Sequence, residues 1–157
     1  MSIEWIILYI VWLVTLGSLF FVPKDRRKEA SISFLFLQFL GWFLGLLVVE
    51  LKWIEYPIRE LAHVNRSSFT FEFLVFPAIS MFFNLYYPSN RRLLTKIYYI
   101  SLFTTGIIIP EIIFEKYTDL IKYIHWEWYY SWISVFFTLW IVRGFFSWFY
   151  KESISTQ

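Results

Sequence analysis

The sequence predicts an all-α integral membrane protein, a polytopic bundle of about five transmembrane helices that forms one domain of 157 residues. Hydrophobic residues make up 59% of the chain and aromatic residues 25%, which exceeds the usage of soluble domains, and only 17% are charged. The apolar residues fall in blocks of about 20, the length a helix needs to cross the hydrocarbon of a bilayer. We expect spans at 3–22, 31–51, 69–87, 97–114 and 129–150.

The first span is expected to be a retained helix. It carries Glu4 where a signal peptide would have a basic segment, and no small-residue cleavage site follows its apolar core. Pro23 ends it, and the short charged loop 24–29 leads to the second span.

The second span contains a GxxxG pattern, Gly41 and Gly45, with Gln38 on roughly the same face and Glu50 at its end. Such glycines let two helices approach closely. Two interpretations stay open, a helix-packing seam within one subunit and a seam between two copies of the chain.

Prolines interrupt the third and fourth spans. Pro77 has no backbone donor and therefore frees the carbonyl of Phe73, and Pro110 acts similarly in the fourth span. Ser80 and Asn84 form a weakly polar face that we expect to satisfy this kink.

The apolar and polar residues of 114–124 have the spacing of an amphipathic helix, which we expect to lie in the membrane interface before the last span. The aromatic run 125–132 then anchors the start of the fifth span at a membrane–water interface. A polar stripe continues into that span with helical spacing, formed by Glu127, Ser131, Ser134 and Thr138. Arg143, near the other end, is expected either to snorkel toward phosphates or to act as a buried counter-ion.

The positive-inside rule predicts the orientation. With five alternating spans, most of the 14 Lys and Arg residues fall on one side, in loops 24–28 and 91–96 and at the C-terminal Arg143 and Lys151. That side is expected to be cytoplasmic, which places the N-terminus outside and the C-terminus inside.

Four glutamates then lie near the outer boundary and define a candidate ligand or ion site together with His125: Glu50, Glu72, Glu111 and Glu127. Carboxylates are costly in hydrocarbon and usually face a partner, the bundle interior or water. Such a site suits proton exchange, a divalent cation or an amine. The structural alternative is that acids at helix starts favour the helix dipole and that Glu50 pairs with Lys52 or Arg66.

Several function classes lack support in the sequence. The net charge is only +2, and the basic residues do not cluster into a face that could bind nucleic acid. The absence of cysteine excludes disulfides and thiolate metal sites. No HExxH, GxSxG, P-loop or dinucleotide motif occurs, and no cofactor is indicated. An interfacial lipid-modifying enzyme using histidine and glutamate remains a third hypothesis.

Four short stretches resemble a family of small, uncharacterised multi-pass membrane proteins of endospore-forming bacteria: 55–57 (EYP), 76–78 (FPA), 84–88 (NLYYP) and 125–128 (HWEW). The similarity extends over most of the chain from the second span onward. It implies the cytoplasmic membrane of a bacterium, in a sporulating cell, and it implies no activity or catalytic residue.

The leading hypothesis is therefore a membrane protein that handles a cation, a proton or a small solute at an outer, acid-lined cavity. The main alternative is a structural or assembly subunit that contacts a second copy or another membrane protein through helix faces. The lipid bilayer is the one partner that both hypotheses require.

Overall fold

A computed structural model describes the backbone of residues 2–155 and the side chains of residues 2–150. Its described part contains five α-helices, and the prediction of a helical fold is confirmed. A π-helical segment, Thr70–Val75, runs directly into the third of these helices, and a single 3-10 turn, Lys24–Arg26, precedes the second. The helices are α1 (Ile3–Leu19), α2 (Arg27–Glu50), α3 (Phe76–Leu85), α4 (Leu93–Tyr117) and α5 (Trp128–Ser155).

Three helical segments are long and apolar enough to cross a membrane: Lys24–Glu50, Leu93–Tyr117 and Trp128–Tyr150, with mean hydropathy 2.3, 1.7 and 1.4. Two further apolar helices, Ile3–Leu19 and Thr70–Leu85, are shorter. The membrane prediction is thus confirmed at this coarser level, while the number of spans and their orientation stay predictions. The side chain of Lys151, used to predict the orientation, lies outside the described residues.

The helices pack through apolar clusters and several aromatic contacts. Phe83 of α3 is fully buried in a cluster with residues of α4 and α5. Stacked rings of Phe36 and Phe145, with centroids 3.8 Å apart, join α2 to α5. A fully buried aromatic side chain contributes about 1.5–3 kcal/mol by leaving water, but in a membrane much of this gain comes from tight packing instead.

The carbonyl freed by Pro77 is satisfied from a neighbouring helix. Gln38 Nε2 of α2 donates to the Phe73 carbonyl at 3.0 Å. The expectation that Ser80 and Asn84 satisfy the kink is wrong, because both side chains contact Ser33 of α2 instead. Ser33 Oγ also lies 3.0 Å from the Ser80 carbonyl. Asn84 Nδ2 donates to Ser33 Oγ at 2.7 Å.

Two loops pair as a short antiparallel ribbon, here called the ribbon, formed by β1 (Ile54–Glu55) and β2 (Lys122–Tyr123). The expected interfacial helix over 114–124 is therefore wrong, since α4 continues past Pro110 to Tyr117 and the chain then becomes extended. The apolar residues of this segment, which predicted an amphipathic helix, pack inside the protein instead. Phe114 and Ile121 pack on Ile54 and Tyr56 beneath the ribbon rather than on a membrane surface.

Arg143 is held by protein groups. Its Nη2 donates to Ser89 Oγ at 2.9 Å, and its Nη1 donates to Asn84 Oδ1 at 3.4 Å. The guanidinium carbon lies 4.3 Å from the centre of the Tyr87 ring and 5.2 Å from that of Phe146. Arg143 of α5 therefore fastens the turn that follows α3, through hydrogen bonds and cation–π contacts.

Candidate ligand cavity

A cavity of about 260 Å³, partly open to the surroundings, lies between α2, the Thr70–Leu85 helix, α4 and α5. Most of its lining consists of Leu, Ile, Val and Phe side chains, and residues of the ribbon and its flanks line one end. Two carboxyl groups, those of Glu72 and Glu111, belong to this lining.

Glu72 sits in the π-helical segment and is only 5% exposed. Its side chain lies against the GxxxG pattern of α2. A Cβ atom added at Gly45 would lie 2.7 Å from Glu72 Cδ, and one added at Gly41 would lie 3.4 Å from Glu72 Oε2. The two glycines therefore form a packing seam within one subunit, which is one of the two interpretations of the GxxxG pattern. The group that packs against them is the Glu72 side chain.

Tyr56 faces Glu72 from the loop beside the ribbon. It is 6% exposed, and its hydroxyl is a hydrogen-bonding partner of the Glu72 carboxyl. Burial raises the pKa of Tyr56 well above its usual value, and the nearby carboxyls of Glu72 and Glu111 raise it further. The phenol therefore stays neutral and acts as a hydrogen-bond donor at the cavity wall.

Glu111 follows Pro110 in α4 and is fixed by hydroxyl donors. Its Oε1 accepts hydrogen bonds from Tyr123 of the ribbon and from Ser131 of α5, each at 2.5 Å. Ser131 in turn accepts from Trp126 Nε1 at 2.8 Å. Burial and the adjacent Glu111 raise the pKa of Tyr123, which keeps its proton on the hydroxyl. Glu111 Oε2 accepts no hydrogen bond from the described residues.

Neither cavity carboxyl has a cationic partner among the described side chains. The ion pairs of the described side chains join Arg26 to Glu29, Glu50 to Arg66 and Asp119 to Lys122. Glu72 and Glu111 are close enough to act on each other electrostatically. A charged carboxylate at membrane depth costs at least about 2.5–3.5 kcal/mol, so each group needs a proton or an external cation to offset that cost.

The structure brings together two of the five predicted site residues. Glu50 is exposed and pairs with Arg66 at 3.4 Å, as the structural alternative expects. Glu127 and His125 are exposed and do not line the cavity. The rest of the polar stripe does: Ser131, Ser134 and Thr138 all belong to the lining.

Sequence reasoning missed the residues that position the carboxyls. Tyr56, Tyr123 and Trp126 come from two loops more than 60 residues apart, and only the pairing of the ribbon brings them to one end of the cavity. Trp126 belongs to the aromatic run 125–132 that stands out in the sequence, whereas no sequence pattern marks Tyr56 or Tyr123 as a partner of the carboxyls.

The chemistry of the lining suits a cationic or proton-exchanging solute. Carboxyl oxygens and hydroxyls provide the polar contacts, and an apolar wall surrounds them. Among the described residues, no group of three or more His, Cys, Asp and Glu side chains is placed to hold a metal ion. Comparison with protein-family models, curated proteins and solved structures gave no match.

Proposed function

We propose that the chain is an integral membrane protein that binds a small cation or cationic solute in the cavity of Glu72 and Glu111. One observation carries the proposal: two carboxyl groups that form no ion pair with any described side chain share one largely apolar cavity of about 260 Å³. A ligand that supplies positive charge would offset the cost of burying them.

The contrast with Glu50 supports a binding role. Glu50 is exposed and has Arg66 beside it, so its charge is compensated within the chain. Glu72 is instead surrounded by apolar side chains, two glycines and a neutral phenol. A buried acid that only stabilised the fold would be expected to have its counter-charge nearby.

The proposal includes five spans with the N-terminus outside. Each predicted span corresponds to one helical segment, with Thr70–Leu85 for the third. The positive-inside rule then puts the ribbon, and the cavity end that it covers, at the outer side of the membrane. The proposal also includes the cytoplasmic membrane of a bacterium, the location that the resemblance of residues 55–57, 76–78, 84–88 and 125–128 implies.

Thermal unfolding of the purified protein in detergent tests the proposal. A ligand that binds the folded state stabilises it by RT ln(1 + [L]/Kd), about 2.7 kcal/mol at a hundred times Kd. We expect at least one cation in a panel of protons, Mg²⁺, Ca²⁺ and alkylamines to raise Tm. The rise should be lost in Glu72→Gln and Glu111→Gln and kept in Glu50→Gln, the matched control. Equal loss in all three variants, or no effect of any cation, would refute the proposal.

The two alternatives have less support. Assembly through the GxxxG pattern needs an available glycine face, yet Gly41 and Gly45 are both buried against Glu72. Lipid chemistry by His125 and Glu127 needs a pocket around them, and neither residue lines the cavity.

A further inference from the structure

We infer that the ligand of the cavity is an organic ammonium ion with a small hydrocarbon or aromatic body, rather than a metal ion. The inference rests on the proposed function and names the chemical class of its ligand. It depends on the size of the cavity, on the distribution of polar groups along it, and on the surroundings of the two carboxyls.

The cavity is too large and too apolar for a bare metal ion. Its volume of 260 Å³ is that of about nine liquid waters at roughly 30 Å³ each. A hard cation takes six or more oxygen ligands, and a hydrated one would press its waters against Leu44, Val48 and Ile107. A small organic molecule fills such a space and buries its own apolar surface there.

The polar groups are concentrated toward one end. Glu111, Tyr56 and Ser131 lie beside the ribbon, and Trp126 adds an aromatic surface there. On α5, Leu139 lies eight residues beyond Ser131, or about 12 Å along the helix at 1.5 Å per residue.

The far end is apolar. Leu37, Ile79 and Leu139 line it, coming from α2, α3 and α5. The hydroxyl of Thr138 is already bonded to the Ser134 carbonyl at 2.7 Å, so it offers little to a ligand. A ligand with one charged end and one apolar end matches this gradient.

The carboxyl oxygens match an ammonium group in particular. An ammonium carries three donors and no acceptor. Glu72 and the Oε2 of Glu111, which accepts no hydrogen bond from the described residues, supply acceptors, and Trp126 lines the same end of the cavity. One ammonium ion and one proton together neutralise the two carboxyls, which leaves the filled cavity without net charge.

Binding measured in detergent tests the inference with two amines, phenethylamine and n-hexylamine. The uncharged comparison is 2-phenylethanol, which keeps the aromatic body and replaces the ammonium by a hydroxyl. MgCl₂ and CaCl₂ are the metal probes. We expect at least one amine to raise Tm in a saturable way and 2-phenylethanol to bind at least tenfold more weakly. Glu72→Gln should weaken amine binding at least tenfold, and Glu50→Gln should not.

A pair of glycine variants shows where the amine binds. Gly106 lines the cavity, and a Cβ added there meets open space, as does one at Gly144, which is outside the lining. Gly106 is exposed as well as lining the cavity, so Gly106→Leu should fold, narrow the cavity and weaken amine binding, whereas Gly144→Leu should bind as the parent does. Equal binding by both variants would overturn the assignment to the cavity.

The remaining outcomes separate the two proposals. If Mg²⁺ or Ca²⁺ stabilises the protein through Glu72 and neither amine does, the ammonium inference is wrong and the proposed function stands. If 2-phenylethanol binds as tightly as the amines, the cavity does not distinguish a charged ligand from a neutral one, and the inference is wrong. If no probe binds, and pH does not change Tm through Glu72 and Glu111 either, both proposals fail.

Discussion

Substitution of Gly45 by alanine tests the contact between the glycine pair and the cavity carboxyl. The new Cβ would lie 2.7 Å from Glu72 Cδ, 2.8 Å from Oε1 and 3.2 Å from Cγ, so the glutamate side chain must move. The same change at Gly41 brings a Cβ only to 3.4 Å from Oε2. At Gly106 and Gly144 a Cβ meets nothing within 4 Å.

The magnitude follows from opposing terms. Alanine in place of glycine gains about 1 kcal/mol of helix propensity. Forcing the Glu72 side chain from its rotamer costs roughly 0.5–1.5 kcal/mol. Loss of its hydrogen bond with the Tyr56 hydroxyl costs about 1 kcal/mol more. Gly45→Ala should therefore be less stable than Gly144→Ala by about 1.5–2.5 kcal/mol. Gly41→Ala should fall between them.

The assay is reversible unfolding in mixed micelles, followed by tryptophan fluorescence. A double-mutant cycle with Glu72→Ala isolates the contact, because removing the glutamate removes the clash. We expect a coupling free energy of roughly 1–2.5 kcal/mol between the two sites. Additive effects, or a Gly45→Ala variant as stable as Gly144→Ala, would show that the glutamate does not occupy the glycine seam.

Three further predictions concern the groups around the cavity and the deeper polar contacts. Gln38→Met removes the donor to the Phe73 carbonyl and should lower the free energy of unfolding by about 1–3 kcal/mol in the same assay, and an unchanged value would mean that the carbonyl finds another donor. Ser33→Ala removes the nearer of the two acceptors of the buried Asn84 amide and should cost about 1 kcal/mol, whereas Ser33→Thr, which keeps the hydroxyl, should cost less. The pKa values of Tyr56 and Tyr123 are raised above 10.0, so their contribution to stability is present below pH 10 and falls as the pH rises above it. Unfolding from about pH 9 to 11 should thus show a steeper loss in the parent than in the Tyr→Phe variants, and parallel curves would contradict the burial of both phenols.

Counting residues along the sequence predicts depth but not the direction in which a side chain faces. Glu50, Glu72, Glu111 and Glu127 are all placed near one boundary by counting from the ends of apolar blocks. Only packing decides that Glu72 and Glu111 face a cavity while Glu50 faces solvent and Arg66. Each residue advances about 100° around a helix, so small errors at a helix start change the predicted face.

The same limit applies to pairings between segments. The sequence places Gln38 on the glycine face of α2 and predicts a free carbonyl at Phe73, yet nothing in the sequence predicts that these two groups form a hydrogen bond. The periodicity of 114–124 predicted an amphipathic helix because its apolar residues need a covered surface. Ile54 and Tyr56 provide that surface, and they come from a loop that is distant in sequence.

The π-helical turn that carries Glu72 has a consequence for how this site could arise or disappear. A π turn holds one residue more than an α turn, and such turns are frequent at functional sites. Deleting a single codon within residues 73–75 would let the segment close into an ordinary α-helix that continues α3. The residues ahead of the deletion, Glu72 among them, would rotate by about 100°, and the glutamate would leave the glycine seam. One in-frame deletion would thus remove the proposed site while leaving the apolar helix, and one insertion would suffice to create such a site within an existing bundle.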